Sequence, residues 1–178
     1  MPVAEPMLHP DGQLPWFALF VRTRHEKGVA SALGQKGYRT FLPVYSVVHR
    51  WSDRLKFLDL PLFPGYLFCR FDPKDQLPIL VTSGVWRIVG VGRTPCPVAP
   101  AELDAIRSIL QSGLAAARCP YVQEGDRVCI DGGPLHGIVG IVIKRKNMYR
   151  LIVSVSLIER SVAVEVDQGW LRPLGVAA

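Results

Sequence analysis

Few side chains capable of covalent chemistry stand at working spacings in this sequence. Cys69, Cys96, Cys119 and Cys129 form no C-x-x-C pair and have no histidine at ligand spacing, which argues against a metal centre or a disulfide framework. The glycine-rich run "DGGPLHG" (131–137) lacks the Lys-Ser/Thr and the following helical pattern of a phosphate-binding loop, so its glycines are expected in tight turns. No serine, histidine and acid form a nucleophile motif, and no paired carboxylates stand out beyond Asp126 and Asp131. The expectation is a protein that is not an enzyme and carries no cofactor or metal.

The residues that remain are suited to binding. Eight Lys/Arg crowd into 22–56 against only Glu26 and Asp53, and that difference equals the formal net charge of the whole chain, +6. Such a window is either a solvated face or a surface for phosphates. Its first members, Arg22, Arg24, His25 and Lys27, fall where a strand gives way to a helix, near an N-terminus whose dipole also favours anions. The second candidate is "LPLFPGYLFCRF" (60–71), where seven of the twelve residues are Leu, Phe or Tyr around a Pro-Gly turn. It is either a core strand or an aromatic surface shown to a partner.

The elements that must position these groups follow from periodicity. Residues 1–15 hold four prolines and little pattern, a flexible lead. "WFALFVR" reads as a buried strand, and a helix follows from Glu26 with Val29, Ala32 and Leu33 on one face and Gly37 as its stop. "YRTFLPVYSVVHRW" returns to strand character, "HRWSDRLKF" suggests a hairpin tip, and "YLFCRF" and "GVWRIVGVG" are further strands. "PAELDAIRSILQSG" is a helix with Pro100 at its first position and Leu103, Ile106 and Leu110 on one face. The order gives an α+β domain, an antiparallel sheet with flanking helices, over 16–113. "LAAARCPY" (114–121) reads as a linker. Beyond it, 122–174 holds five short strand patterns without helical period, which suggests a small closed β-barrel.

Charged residues make up 20% and hydrophobic ones 49%, a globular composition. No apolar run reaches the roughly 18 residues of a membrane span, and the N-terminus has no basic or apolar leader pattern, so a cytoplasmic protein is expected.

Across Trp16 to Leu174 these residues resemble the NusG family of transcription elongation factors. The resemblance rests on "WFALFVR", "FLP" (41–43), "PLFPGYLF" (61–68) and "GVWRIVG" in the first domain. In the second it rests on "GDRVCIDGGPLHGIVGIV" and "RLIVSVSLIERSVAVEV", which look like a KOW domain, an SH3-like barrel. "PLFPGYLFCRFDP" and "RTRHEKGVASAL" are closer to specialised paralogues of the UpxY, LoaP or RfaH kind. The His-Thr-Thr segment with which RfaH meets the polymerase gate loop has no match, since "DQLPIL" occupies that region.

The resemblance implies several roles. Phe63, Tyr66 and Phe68 would receive the β′ clamp helices of bacterial RNA polymerase, and Arg22, Arg24, His25 and Lys27 would face non-template DNA. Ile138, Leu157 and Ile158, exposed on barrel loops, and Arg160 would bind a second partner, ribosomal protein NusE or, less directly, Rho. The whole would be a monomeric elongation and antitermination factor. Its rivals are an RNA-binding or ribosome-associated KOW protein and an enzyme using the basic groove. RfaH refolds its barrel segment as helices. The Val- and Ile-rich tail here, with Pro134, Pro173 and six glycines in 122–174, favours a lasting barrel instead.

Overall fold

The computed structural model describes residues 13–51, 54–122, 125–145 and 148–174; the greater part of the N-terminal lead and the hairpin tip at 52–53 lie outside them. In chain order the elements are β1 (Trp16–Val21), α1 (Glu26–Gln35), β2 (Arg39–Phe41), β3 (Val44–Trp51), β4 (Arg54–Pro61), β5 (Tyr66–Arg70), α2 (Leu77–Leu80) and β6 (Val85–Ile88). Three two-residue strands follow, β7 (Gly90–Val91), β8 (Thr94–Pro95) and β9 (Pro97–Val98), then α3 (Pro100–Gln111) and β10 (Ala116–Cys119). The chain closes with β11 (Asp126–Ile130), β12 (Val139–Arg145), β13 (Met148–Val155), β14 (Arg160–Val166) and β15 (Leu171–Pro173). Contacts divide it into two compact units, Met1–Leu42 with Phe63–Ala99, and Pro43–Leu62 with Pro100–Ala178.

The first unit is built on an antiparallel sheet in the order β2-β5-β1-β6, with β9 also pairing β1. Side chains alternate across a strand, so β1 sends Phe17, Leu19 and Val21 to one face, joined by Leu67 and Cys69 of β5. That face packs against Val29 and Leu33, one turn apart on α1, and Ile79 of α2. Burial pushes the Cys69 thiol up to about 12, so it stays protonated and acts as a small core hydrophobe. Gly37 takes a positive φ of 87° just past α1, the left-handed stop expected of it. Lys36, counted in the basic window, is exposed but engaged within the first unit: its Nζ donates to the Pro78 carbonyl at 3.0 Å and to Thr82 Oγ1 at 2.7 Å, tying the end of α1 to α2.

The second unit holds the β3–β4 hairpin, α3 and a six-stranded antiparallel sheet in the order β10-β14-β13-β12-β11-β15. The five strands expected in 122–174 are all present, with short 3-10 turns between β11 and β12, β13 and β14, and β14 and β15, and no α-helix among the described residues there. Two expectations are modified. Residues 116–119, read as linker, form a strand: β14 would otherwise leave a row of backbone groups unpaired, and Ala116–Cys119 pair with Ser161–Val164 to cover them. Among the described residues the strand path runs from β10 at one end to β15 at the other. In α3 the buried stripe is Leu103, Ile106 and Ile109 in place of Leu110. This helix, expected with the first domain, falls in the second unit by its contacts, where the Ser156 N–H donates to Glu102 Oε1 at 3.2 Å.

Candidate functional site

The Pro64-Gly65 turn connects the sequence to its candidate surface. It reverses the chain just before β5, with the Tyr66 N–H donating to the Phe63 carbonyl at 3.0 Å. Gly65 has φ +80° and lies so near Phe20 that a Cβ would stand 3.4 Å from Phe20 Cε2, so both backbone and space call for glycine. Its carbonyl accepts the Val21 N–H at 2.8 Å, and its own buried N–H donates to Glu26 Oε1 at 2.8 Å. Glu26 is only 3% exposed. The residue read from sequence as a counter-charge is therefore the internal anchor of the turn.

Register then assembles an aromatic corner. Phe20 of β1 pairs with Tyr66 of β5 on one side and Arg87 of β6 on the other. The Phe20 ring lies 5.3 Å from Tyr66, tilted by 51°, and 5.3 Å from Trp86, nearly edge-on at 71°. The Arg87 guanidinium sits 5.4 Å over the Phe20 ring. Tyr66 and Phe20 are half-buried, whereas Trp86 and Arg87 are exposed. The corner offers ring faces and one cation, the chemistry that anchors an apolar helix carrying acidic residues.

Of the three aromatic positions expected to meet a partner, only Tyr66 is partly exposed. Phe63 and Phe68 are buried at 2% and 0%, so neither ring is presented at the surface of this structure. Phe68 shares a sheet face with Tyr66 but lies two residues further in, where Phe63 meets it edge-on at 6.3 Å and Phe41 stacks at 6.1 Å. They form the floor that holds the turn. Phe20, Trp86, Arg87 and Glu26 were missed by sequence reasoning. Alternation within β1 could have signalled Phe20, but the cross-strand register could not be read.

The basic group is where it was expected. Arg22, Arg24, His25 and Lys27 are all exposed around a turn closed by the His25 N–H donating to the Arg22 carbonyl at 3.0 Å. Arg24 holds a positive φ of 70°, an uncommon conformation for a residue with a side chain. Such backbone cost at an exposed arginine is the kind tolerated at functional turns.

In the second unit the expected partner patch is not an exposed aliphatic surface. Ile138 and Ile158 are buried at 7% and 5%, a correction of their expected exposure. Ile138 is turned inward by backbone bonds, its N–H to the Leu135 carbonyl and its carbonyl to the Ile130 N–H. Ile158 ends a 3-10 turn, Ser156–Ile158, that tucks it under the sheet before Glu159 exits at φ +49°. Leu157 is half-buried and Arg160 exposed, its guanidinium donating to the Glu159 carbonyl at 2.9 Å. Among the described residues no cluster of His, Cys, Asp or Glu could hold a metal ion, and no helix is long and apolar enough to cross a membrane.

The Glu26 anchor has a measurable consequence. Glu26→Ala strands a buried Gly65 N–H, a loss of about 1–3 kcal/mol, while Glu26→Gln keeps an acceptor. Amide exchange at Gly65, followed by NMR, is expected to accelerate roughly tenfold or more in the alanine variant and to stay near wild type in the glutamine variant. Unchanged protection in Glu26→Ala would remove Glu26 from this role.

Comparison with known proteins bears on the same residues. The family model described as transcription termination factor nusG matches residues 14–107, which span the turn, the aromatic corner and the basic group. The transcription termination/antitermination protein NusG of Thermus thermophilus is 31% identical over 153 residues, covering 78% of this chain and 82% of that protein. Its counterpart from Halalkalibacterium halodurans is 28% identical over 156 residues, covering 83% and 86%. A solved structure of Thermotoga maritima NusG superposes with a TM-score of 0.56 at 18% identity, covering 90% of this chain and 97% of that one, a likeness of fold. With the family model spanning more than half of its length and a relative above 30% identity matching 78% of this chain, this chain belongs to the NusG family.

Proposed function

We propose that this protein is a non-enzymatic transcription elongation and antitermination factor, a specialised member of its family, which works in the cytoplasm as a monomer. Its first unit docks on the β′ clamp helices of bacterial RNA polymerase, and the exposed turn Arg22–Lys27 lies along non-template DNA. Its C-terminal segment acts as a KOW domain of SH3-like type and recruits a second partner, NusE or Rho, with Leu157 and Arg160 as the accessible residues. The observation that carries the reading is the packed ring pair of Tyr66 and Phe20, set on a glycine turn held by a buried glutamate. A rigid aromatic platform buries large area at small entropic cost, as a helix-in-groove contact requires. The names of the relatives, transcription termination/antitermination proteins, support the same reading.

Binding that favours the closed clamp shifts polymerase away from its paused population only to the extent that the two states are bound unequally. The test is capture of polymerase by the immobilised full chain from a bacterial lysate, probed for β′ before and after nuclease treatment. Nuclease-resistant β′ capture is expected. Recovery of RNA or ribosomes without β′ would instead identify an RNA-binding protein.

A further inference from the structure

We propose that Trp86 is a base-stacking residue for single-stranded DNA, completing the edge formed by Arg22, Arg24, His25 and Lys27; this rests on the reading above that the edge faces non-template DNA. Trp86 is 63% exposed, an unusual position for the largest apolar side chain. The sheet order β5-β1-β6 sets it on the opposite flank of Phe20 from Tyr66, away from the glycine turn. The edge-on contact with Phe20 steadies the indole while leaving most of it open.

The start of β6 is tied to the basic turn itself. The Arg22 N–H donates to the Gly84 carbonyl at 2.8 Å. A Cβ on Gly84 would stand 3.7 Å from His25 Cβ and 2.8 Å from Val29 Cγ2, so glycine lets the two segments touch. On the two segments so joined, 22–27 and 84–88, the accessible charges are of one sign: Arg22, Arg24, Lys27 and Arg87 are exposed, and Glu26, the one acid among them, is buried and occupied by Gly65. Cations that follow a backbone beside an aromatic face that accepts a base are the elements of single-strand binding. A duplex keeps its bases stacked on one another and offers this ring nothing to receive.

Stacking and charge separate in one experiment. The full chain is titrated with a fluorescent deoxythymidine oligomer of about a dozen residues over a range of salt, with duplex DNA as control. Wild type is compared with Trp86→Ala, Trp86→Phe and the double variant Arg24→Ala/Lys27→Ala, and each variant is also measured against polymerase. Trp86→Ala is expected to bind the oligomer about 5- to 150-fold more weakly at every salt concentration, with the salt slope of wild type, and Trp86→Phe to recover most of the affinity. The double variant is expected to flatten the slope. Wild-type oligomer affinity in Trp86→Ala together with a flattened slope in the double variant would overturn the stacking role and leave the DNA-facing edge standing. A loss confined to polymerase binding would overturn it too, by placing Trp86 in the protein-binding corner. Absence of oligomer binding by wild type would overturn both the stacking role and the DNA-facing edge.

Discussion

Tyr66→Ala is expected to weaken binding to RNA polymerase by about 30-fold or more, the equivalent of about 2 kcal/mol, while the protein stays folded. Tyr66 is the aromatic member of the Phe-Pro-Gly-Tyr turn that reaches the surface, and it does so against Phe20 at 5.3 Å, so its ring is pre-positioned before a partner arrives. Removing it takes away the anchor and one ring contact worth about 0.5–1.5 kcal/mol within the protein. Tyr66→Phe keeps the platform and is expected to stay within a few-fold of wild type. Titration of labelled protein with purified core polymerase reads the affinity, and circular dichroism checks the fold. Wild-type affinity in a folded Tyr66→Ala protein would place the contact elsewhere.

Phe68→Ala is expected to act through stability, by about 3–5 kcal/mol. The ring is fully buried, is met edge-on by Phe63 and stacked by Phe41, and its strand position faces Ala18, which has no side-chain volume to fill the space left behind. Loss of that floor also loosens the turn above it, so polymerase affinity is expected to fall although Phe68 is itself buried. Chemical denaturation followed at a probe in the first unit measures the effect. A variant within about 0.5 kcal/mol of wild type would be the behaviour of a surface residue, and would contradict its burial.

Which parts of this molecule could be read in advance depended on how local their determinants are. Helix α1 was legible because its buried residues recur at helical spacing and Gly37 ends it, and the strands of 126–173 because β-branched runs alternate with turn residues. The basic turn was legible because charge concentrates in sequence as it does in space. Burial within an aromatic run was not. Phe63, Tyr66 and Phe68 are chemically alike, and only the cross-strand register with Phe20 and Ala18 and the packing of Phe41 decide which ring is left out. The same holds for Glu26, whose partner Gly65 lies 39 residues away, and for Ala116–Cys119, whose weak local pattern gives no sign that β14 needs an edge partner. Ile138 and Ile158 show the converse error: residues on short turns between strands were taken for surface, yet backbone bonds and a 3-10 turn direct both inward.

The most direct test of the central claim is a photo-crosslink from the corner itself. With p-benzoylphenylalanine at position 66 in the full chain, bound to a bacterial elongation complex and irradiated, the crosslinked peptide is identified by mass spectrometry. The account predicts a crosslink to the β′ clamp helices, reduced when the unlabelled wild-type chain competes. A crosslink mapping reproducibly to another subunit or to RNA, with β′ unmodified, would contradict it.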